Sequence, residues 1–514
     1  MAEPAPAPTS HFRLFTPTAV PAEPWAGAPW TGVSVLVAEA AAGPLAGELA
    51  RELALAGARV QALDVVELTG RRTDGTAPVP RQARALTEPT GPRWLVWVSA
   101  PGGTGQAPLS SSGGARTLAE LACLRALVKE LAEGWERYGP GGLLLVTAAD
   151  GRTGGSPAGL DPAGGALAGF ARALGDEYPS VATLLVDVGR GPYRSAARRI
   201  VRMGRPADGR HALGLSAGGC WTTRLTALPL TDRDQDASTP GLLDALREPG
   251  AAILVSGGTA GIVGDALCAA AERLSGPLPG KLVLLERAPP VSQRRRHRPS
   301  RPPAARSALP RLRGMGVTVD HEVIDVCDVR AMRALGERLG LLGLTVRTVL
   351  HGAGSGNPLK ITEKSADAWE DTAAVRIAGF HNLLDAAADG LRLAVVHGSG
   401  SASAGLPGRT DSAAGDAYLA TAVARLRAER RDVTAQCVAW PVRDHPGTDD
   451  LPCTQRREST GPWCLDPDQG ARWATAITAQ ARTLPAHVLL LPVPLTGQAA
   501  VDCAPAEGGA PWTR

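Results

Sequence analysis

The chain has 514 residues, of which 44% are hydrophobic, and a formal net charge of +4. The length allows roughly two to four domains. The hydrophobic share excludes a largely disordered chain, and the near balance of charge gives no reason to expect a polyanionic partner. The basic residues are nearly all arginine: lysine stands only at Lys129, Lys281, Lys360 and Lys364, and tyrosine only at Tyr138, Tyr178, Tyr193 and Tyr418. The eight cysteines include no Cys-x-x-Cys pair, which argues against a metal site and against a disulfide framework. The N-terminus has no apolar signal core, and no run of about 18 apolar residues occurs, so the expectation is a cytoplasmic protein with no membrane contact.

Residues 1–30 are rich in Pro and Ala and read as an extended lead-in. From there apolar runs alternate with helical stretches. Strands are expected at 33–40 (VSVLVAEA), 60–66, 93–100, 142–149 and 181–188, with helices over 44–58, 116–135 and 164–175. Residues 229–250 are polar and turn-rich, a linker. The same order then restarts, with a strand at 251–258, a helix over 261–274, and strands at 281–286, 317–326, 345–354 and 391–400, followed by a helix over 411–425. Strands alternating with helices predict α/β structure, here two Rossmann-like, doubly wound parallel-sheet subdomains: 31–235 without a cofactor motif and 236–514 with one. The repeat lies in element order and is not visible as sequence identity.

Only the second half offers a phosphate-binding turn. SGGTAGIVG (256–264) follows a strand and opens a helix, so its glycines let the backbone approach a pyrophosphate and aim N–H groups at it. Arg287, just past the next strand, stands where an arginine would accept the 2′-phosphate of NADP. Two other motifs carry less. GLSAG (214–218) fits a hydrolase nucleophile elbow, but CWTTRLTAL after it reads as a strand where the elbow requires a helix. The arginine-rich run 293–306 reads as a solvated, proline-interrupted loop, and without interleaved aromatic residues nucleic-acid binding is not expected.

Both halves resemble the ketoreductase domain of polyketide synthases, an extended branch of the short-chain dehydrogenase/reductase superfamily. The likeness is carried by ALAGFARALGDEYPSVATLLVDV (166–188), ILVSGGTAGIVGDA (253–266), VLHGAG (349–354), AVVHGSGSASAG (394–405), DSAAGDAYLA (411–420) and GPWCLDPDQGARW (461–473). It covers roughly residues 30–500, and its flavour is nearest to iterative, polyunsaturated-fatty-acid and enediyne-type synthases. The resemblance implies a truncated structural half before a catalytic half that binds NADP(H), and partners that are a polyketide synthase or intermediates on an acyl carrier protein. For the cofactor it implies Gly257, Gly258, Thr259, Gly261 and Ile262 in the turn, with Val263 at the third small position. Arg287 falls at the 2′-phosphate, Asp325 and Val326 on the adenine side, and His351, Gly352, Ala353 and Gly354 beside the nicotinamide ribose.

The family's catalytic set is Lys, Ser, Tyr and Asn. Carried over, the serine falls on Ser399, the tyrosine position on Ser412, the asparagine position on Asp416 and the lysine position on Arg376. One of four is retained. Tyr418 does not replace the missing phenol, since six residues along a helix turn it about 120° away from Ser412, and it is expected to pack against the sheet. A serine hydroxyl is far less acidic than a phenol, and an arginine stays protonated with a different shape from lysine. These substitutions predict a catalytically degenerate ketoreductase-like protein serving as a scaffold or synthase partner. Two alternatives stay open: an active NADPH-dependent reductase using Ser399, Asp416, His397 or water as the proton source, and a nucleotide-binding sensor.

Overall fold

The computed structural model describes residues 12–40, 43–64, 88–99, 109–153, 161–189, 191–206, 209–228, 241–287, 307–354, 358–441, 465 and 467–493. The arginine-rich run 293–306 lies outside them, as do 229–240 of the expected linker and 461–464 of the last resembling segment.

Fifteen strands form one sheet among the described residues. In chain order they are β1 (Phe12–Pro21), β2 (Ser34–Glu39), β3 (Arg59–Asp64), β4 (Trp94–Val98), β5 (Gly142–Thr147), β6 (Ala182–Val188), β7 (Arg210–Ser216), β8 (Gly219–Leu228), β9 (Ala251–Ser256), β10 (Lys281–Glu286), β11 (Val319–Val323), β12 (Thr345–His351), β13 (Leu393–Ser399), β14 (Thr434–Trp440) and β15 (His487–Pro492). In space they run β11-β10-β9-β12-β13-β14-β15-β1-β8-β7-β6-β5-β4-β2-β3. Numbering each half from its own first strand, the second half reads 3-2-1-4-5-6-7, the doubly wound order. The first half repeats it without a third strand among the described residues. The predicted α/β fold of two parallel-sheet units is therefore present, and both units continue into one sheet.

The seam is β1, which pairs antiparallel with β15 (Phe12↔Pro492) and with β8 (Leu14↔Leu228). It lies within the segment read as a lead-in. Its prolines, Pro17 and Pro21, hide it from pattern reading, because proline argues against a strand inside a sheet. GLSAG lies in the hairpin between β7 and β8, where Ser216 Oγ accepts from Trp221 Nε1 at 3.0 Å. The strand expected after that motif is β8, so the motif is a turn and no elbow.

Helices cover the sheet, and four of them join the halves. Three of the four have a capped start: Ser110 caps Ser111–Tyr138, Asp161 with Pro162 starts Pro162–Glu177, and Ser365 caps Ala366–Ala387. Thr410–Glu429 has no side-chain cap and relies on packing. Small residues let these helices approach. A Cβ on Gly169 would fall 2.1 Å from Ala413 O, and one on Gly165 would fall 2.4 Å from Thr421 Oγ1, so Pro162–Glu177 lies antiparallel to Thr410–Glu429. Gly114 of the first half lies in the same way against His381.

Candidate functional site

In the second half the strand order reverses between β9 and β12, and this switch point is where open α/β sheets bind ligands, outside the carboxyl ends of the strands. Ser256 and His351 are paired across that junction, with Ser256 Oγ 2.6 Å from His351 Nδ1 and both side chains buried. Burial lowers the His351 pKa to about 4, so the imidazole is neutral and acts as a fixed hydrogen-bonding wall.

The glycine turn lies directly on this junction. Gly257 and Gly261 both have φ of +72°, a conformation that glycine adopts without penalty. A Cβ on Gly257 would come 2.7 Å from Ala353 N, so the turn and the Gly352–Ala353 segment are in backbone contact. The helix Gly261–Ala271 starts at Ala260 with no side-chain cap and no acid in its first turn. Its leading N–H groups suit a pyrophosphate. Ile262 is buried in the core behind the turn, and Gly258 packs on Val255 and Leu284. Val263, at the third small position, fills the space a Cβ on Gly352 would need, since its Cγ2 would be 2.3 Å away. The larger residue on the helix is thus matched by the smaller one on the strand.

At the far end of this cleft, Arg287 Nη1 is 3.7 Å from Asp325 and 3.9 Å from Asp371. Asp325 also accepts from Cys327 N at 2.9 Å, and Val326 is buried with its carbonyl held by Asn382 Nδ2 at 2.8 Å. Thr259 Oγ1 donates to Glu286 Oε1 at 3.3 Å, and Glu286 Oε2 is 3.0 Å from His321 Nε2. The described residues contain no cluster of ligands suited to a metal. The glycine turn and helix start fit a dinucleotide pyrophosphate.

The residues that the resemblance assigns to the reaction lie near the end of β13. Ser399 is the last residue of β13, in register with Trp440. His397 Nδ1 accepts from Trp440 Nε1 at 3.0 Å and its ring stacks on the indole. Arg376 comes from Ala366–Ala387 and lies flat between two glycines. A Cβ on Gly354 would be 3.0 Å from its Nη2, and one on Gly415 would be 2.5 Å from its Cδ. Its Nε donates to Asp416 Oδ1 at 2.8 Å and its Nη1 to Thr372 O at 3.0 Å. Both side chains are nearly covered, at 12% and 3% exposure. Burial lifts the Asp416 carboxyl above the usual carboxylate range, with Arg376 pulling the other way. Ser412 is buried in the first turn of Thr410–Glu429 and donates its Oγ to Arg409 O at 3.3 Å.

Tyr418 is buried and its hydroxyl lies 2.7 Å from His381 Nε2. It packs against the neighbouring helix, where the sequence reading placed it on the sheet, and burial raises its pKa further from the catalytic range. The six-residue offset from Ser412 is what turns it into the helix–helix contact.

Sequence reasoning missed a buried network beside Ser412. Lys364 Nζ donates to Asp411 Oδ2 at 2.6 Å, and Asp411 Oδ1 accepts from Ser412 N at 2.7 Å. From the first half, Arg125 Nη2 donates to Lys364 O at 2.7 Å. Glu177 accepts from Ile361 N at 2.6 Å and from Gly408 N at 3.0 Å, which ties together both loops that flank the reaction positions. The signal available was a scarce lysine and acids within apolar stretches.

The fold has counterparts among known proteins. A family model described as the KR domain matches residues 251–445. The chain shares its fold with A-type ketoreductases from modular polyketide synthase (TM-score 0.65, 21% identity, covering 93% of this chain and 93% of that one). It is likewise similar to the first ketoreductase of the tylosin synthase (TM-score 0.64, 21% identity, 93% and 92% covered). A third is the ketoreductase from the first module of phoslactomycin biosynthesis in Streptomyces sp. HK803 (TM-score 0.63, 21% identity, 94% of each). The resemblance read from the sequence is borne out: residues 251–445 match the KR-domain model, and the whole chain shares its fold with ketoreductases of polyketide synthases.

Proposed function

We propose that this chain is a ketoreductase-like protein of polyketide or related biosynthesis that keeps a dinucleotide cradle and lacks ketoreduction, acting in the cytoplasm as a scaffold or partner for a synthase and its carrier-bound intermediates. The observation that carries the reading is the Arg376–Asp416 pair beside Ser412. A bound nicotinamide would supply hydride, and the carbonyl would then need a proton from an acid in the cleft. The family uses a phenol next to an ammonium for this. Here the cation is engaged by a carboxylate, the hydroxyl at the phenol position is turned to its own helix backbone, and Tyr418 is engaged with His381. A positioned general acid is typically worth about 10²–10⁴-fold. Its loss leaves binding without useful turnover, which suits a partner role.

The test is the triple variant Ser412→Tyr/Arg376→Lys/Asp416→Asn, assayed with a β-ketoacyl thioester and both reduced nicotinamide dinucleotides. The reading expects reduction at least about 10²-fold above the parent. A folded triple variant no faster than the parent, or a parent already as fast as a tyrosine-bearing ketoreductase, sinks it.

A further inference from the structure

We infer that the dinucleotide this cleft accepts is the non-phosphorylated one, NAD(H), because Glu286 and the two carboxylates around Arg287 exclude a 2′-phosphate. The inference rests on the dinucleotide reading above and departs from the NADP(H) expectation, which was drawn from Arg287 alone.

Glu286 is the final residue of β10, the strand next to β9 on the adenosine side of the glycine turn. Its position is fixed from that turn itself, since Thr259 Oγ1 donates to its Oε1 at 3.3 Å and His321 Nε2 lies 3.0 Å from its Oε2. An acid at the end of this strand is the group that takes the ribose hydroxyls in NAD-binding folds. Its side chain is 49% exposed, so lone pairs remain for a ligand diol. A 2′-phosphate would bring up to two negative charges against the same carboxylate.

Arg287 does not offset this. Its Nη1 lies within 4 Å of both Asp325 and Asp371 (3.7 and 3.9 Å), so the guanidinium is already shared between two carboxylates. Three acids, Glu286, Asp325 and Asp371, thus lie around Arg287 and the end of β10. A carboxylate needs only the diol, and the arginine then orients Asp325, whose Oδ1 holds the Cys327 N–H on the adenine side.

Direct titration of the full chain with NADH and NADPH, followed by nicotinamide fluorescence at low ionic strength, tests this without requiring turnover. NADH is expected to bind about 10-fold or more tightly than NADPH, the ratio that like-charge contacts in a solvated site produce, and raising the salt should narrow it. Glu286→Ser should bring the ratio close to unity or reverse it. Asp371→Asn should tighten NADPH more than NADH. NADPH binding as tightly as NADH to the unmodified chain, or a ratio unmoved by Glu286→Ser, overturns the inference and leaves the dinucleotide cradle standing. Binding of neither dinucleotide overturns the cradle reading and the inference with it.

Discussion

Arg376 and Asp416 lie 40 residues apart and meet only because two helices cross at Gly415. Removing one member strands the other charge in a covered site. Arg376→Ala should therefore lower stability by about 3–5 kcal/mol, the usual cost of breaking a buried pair. Arg376→Ala/Asp416→Ala should cost clearly less than the sum of the single variants, as read by urea unfolding. Additive losses would mean the two groups are not paired. Glu120 offers a second check at this scale. Burial lifts its pKa from the ordinary 4.5 to about 7, against the hydrogen bond that Trp97 Nε1 donates to it. Because the folded pKa lies above the unfolded one, the folded state binds the extra proton between these values, and stability falls as pH rises through about 7. Glu120→Gln should remove up to about 3 kcal/mol of that slope, stabilising the protein above neutrality and leaving it little changed near pH 4.5, as thermal unfolding across pH would show. Ser412, Arg376 and Asp416 could be named in the sequence because the family resemblance assigns them to the catalytic positions. Their pairing could not, because no local pattern records which of many arginines meets which acid.

At the scale of elements, the fit between Gly261–Ala271 and the end of β12 depends on one exchange of volume, Val263 against Gly352. Gly352→Ala should destabilise by about 1–3 kcal/mol through overpacking, and Val263→Ala should recover much of it in the double variant. An unrescued or harmless Gly352→Ala would show that the helix start does not seat on the strand end. Most strands from β2 to β13 and the helices around 44–58, 116–135, 164–175, 261–274 and 411–425 were legible, because apolar runs such as KLVLLE over Lys281–Glu286 announce themselves, whereas β7, β14, β15 and the helix Ala366–Ala387 were not among the elements expected. The strand β1 was not legible, since its two prolines remove the signal and its partners β8 and β15 lie hundreds of residues away.

For the whole molecule, the repeat of strand–helix order was visible in the sequence, but the joining of the halves was not. One sheet runs through both, and Glu177 and Arg125 of the first half hold the loops around Ser412. These contacts predict a single cooperative thermal transition. Gly169→Leu, which forces a side chain into Ala413 O, should lower that transition and split it into two. Two transitions in the unmodified protein would show that the halves stand independently. No described helix is long and apolar enough to cross a membrane.

The most direct measurement is hydride transfer itself. The protein, in excess over a β-ketoacyl thioester and loaded with nicotinamide dinucleotide deuterated at its transferable position, would be quenched over time and the acyl product weighed by mass spectrometry. With Ser412 turned to its own backbone and Arg376 engaged by Asp416, the product should carry no deuterium beyond the protein-free control. Stoichiometric deuterium in a hydroxyacyl product would contradict the account and make this cleft a working reductase.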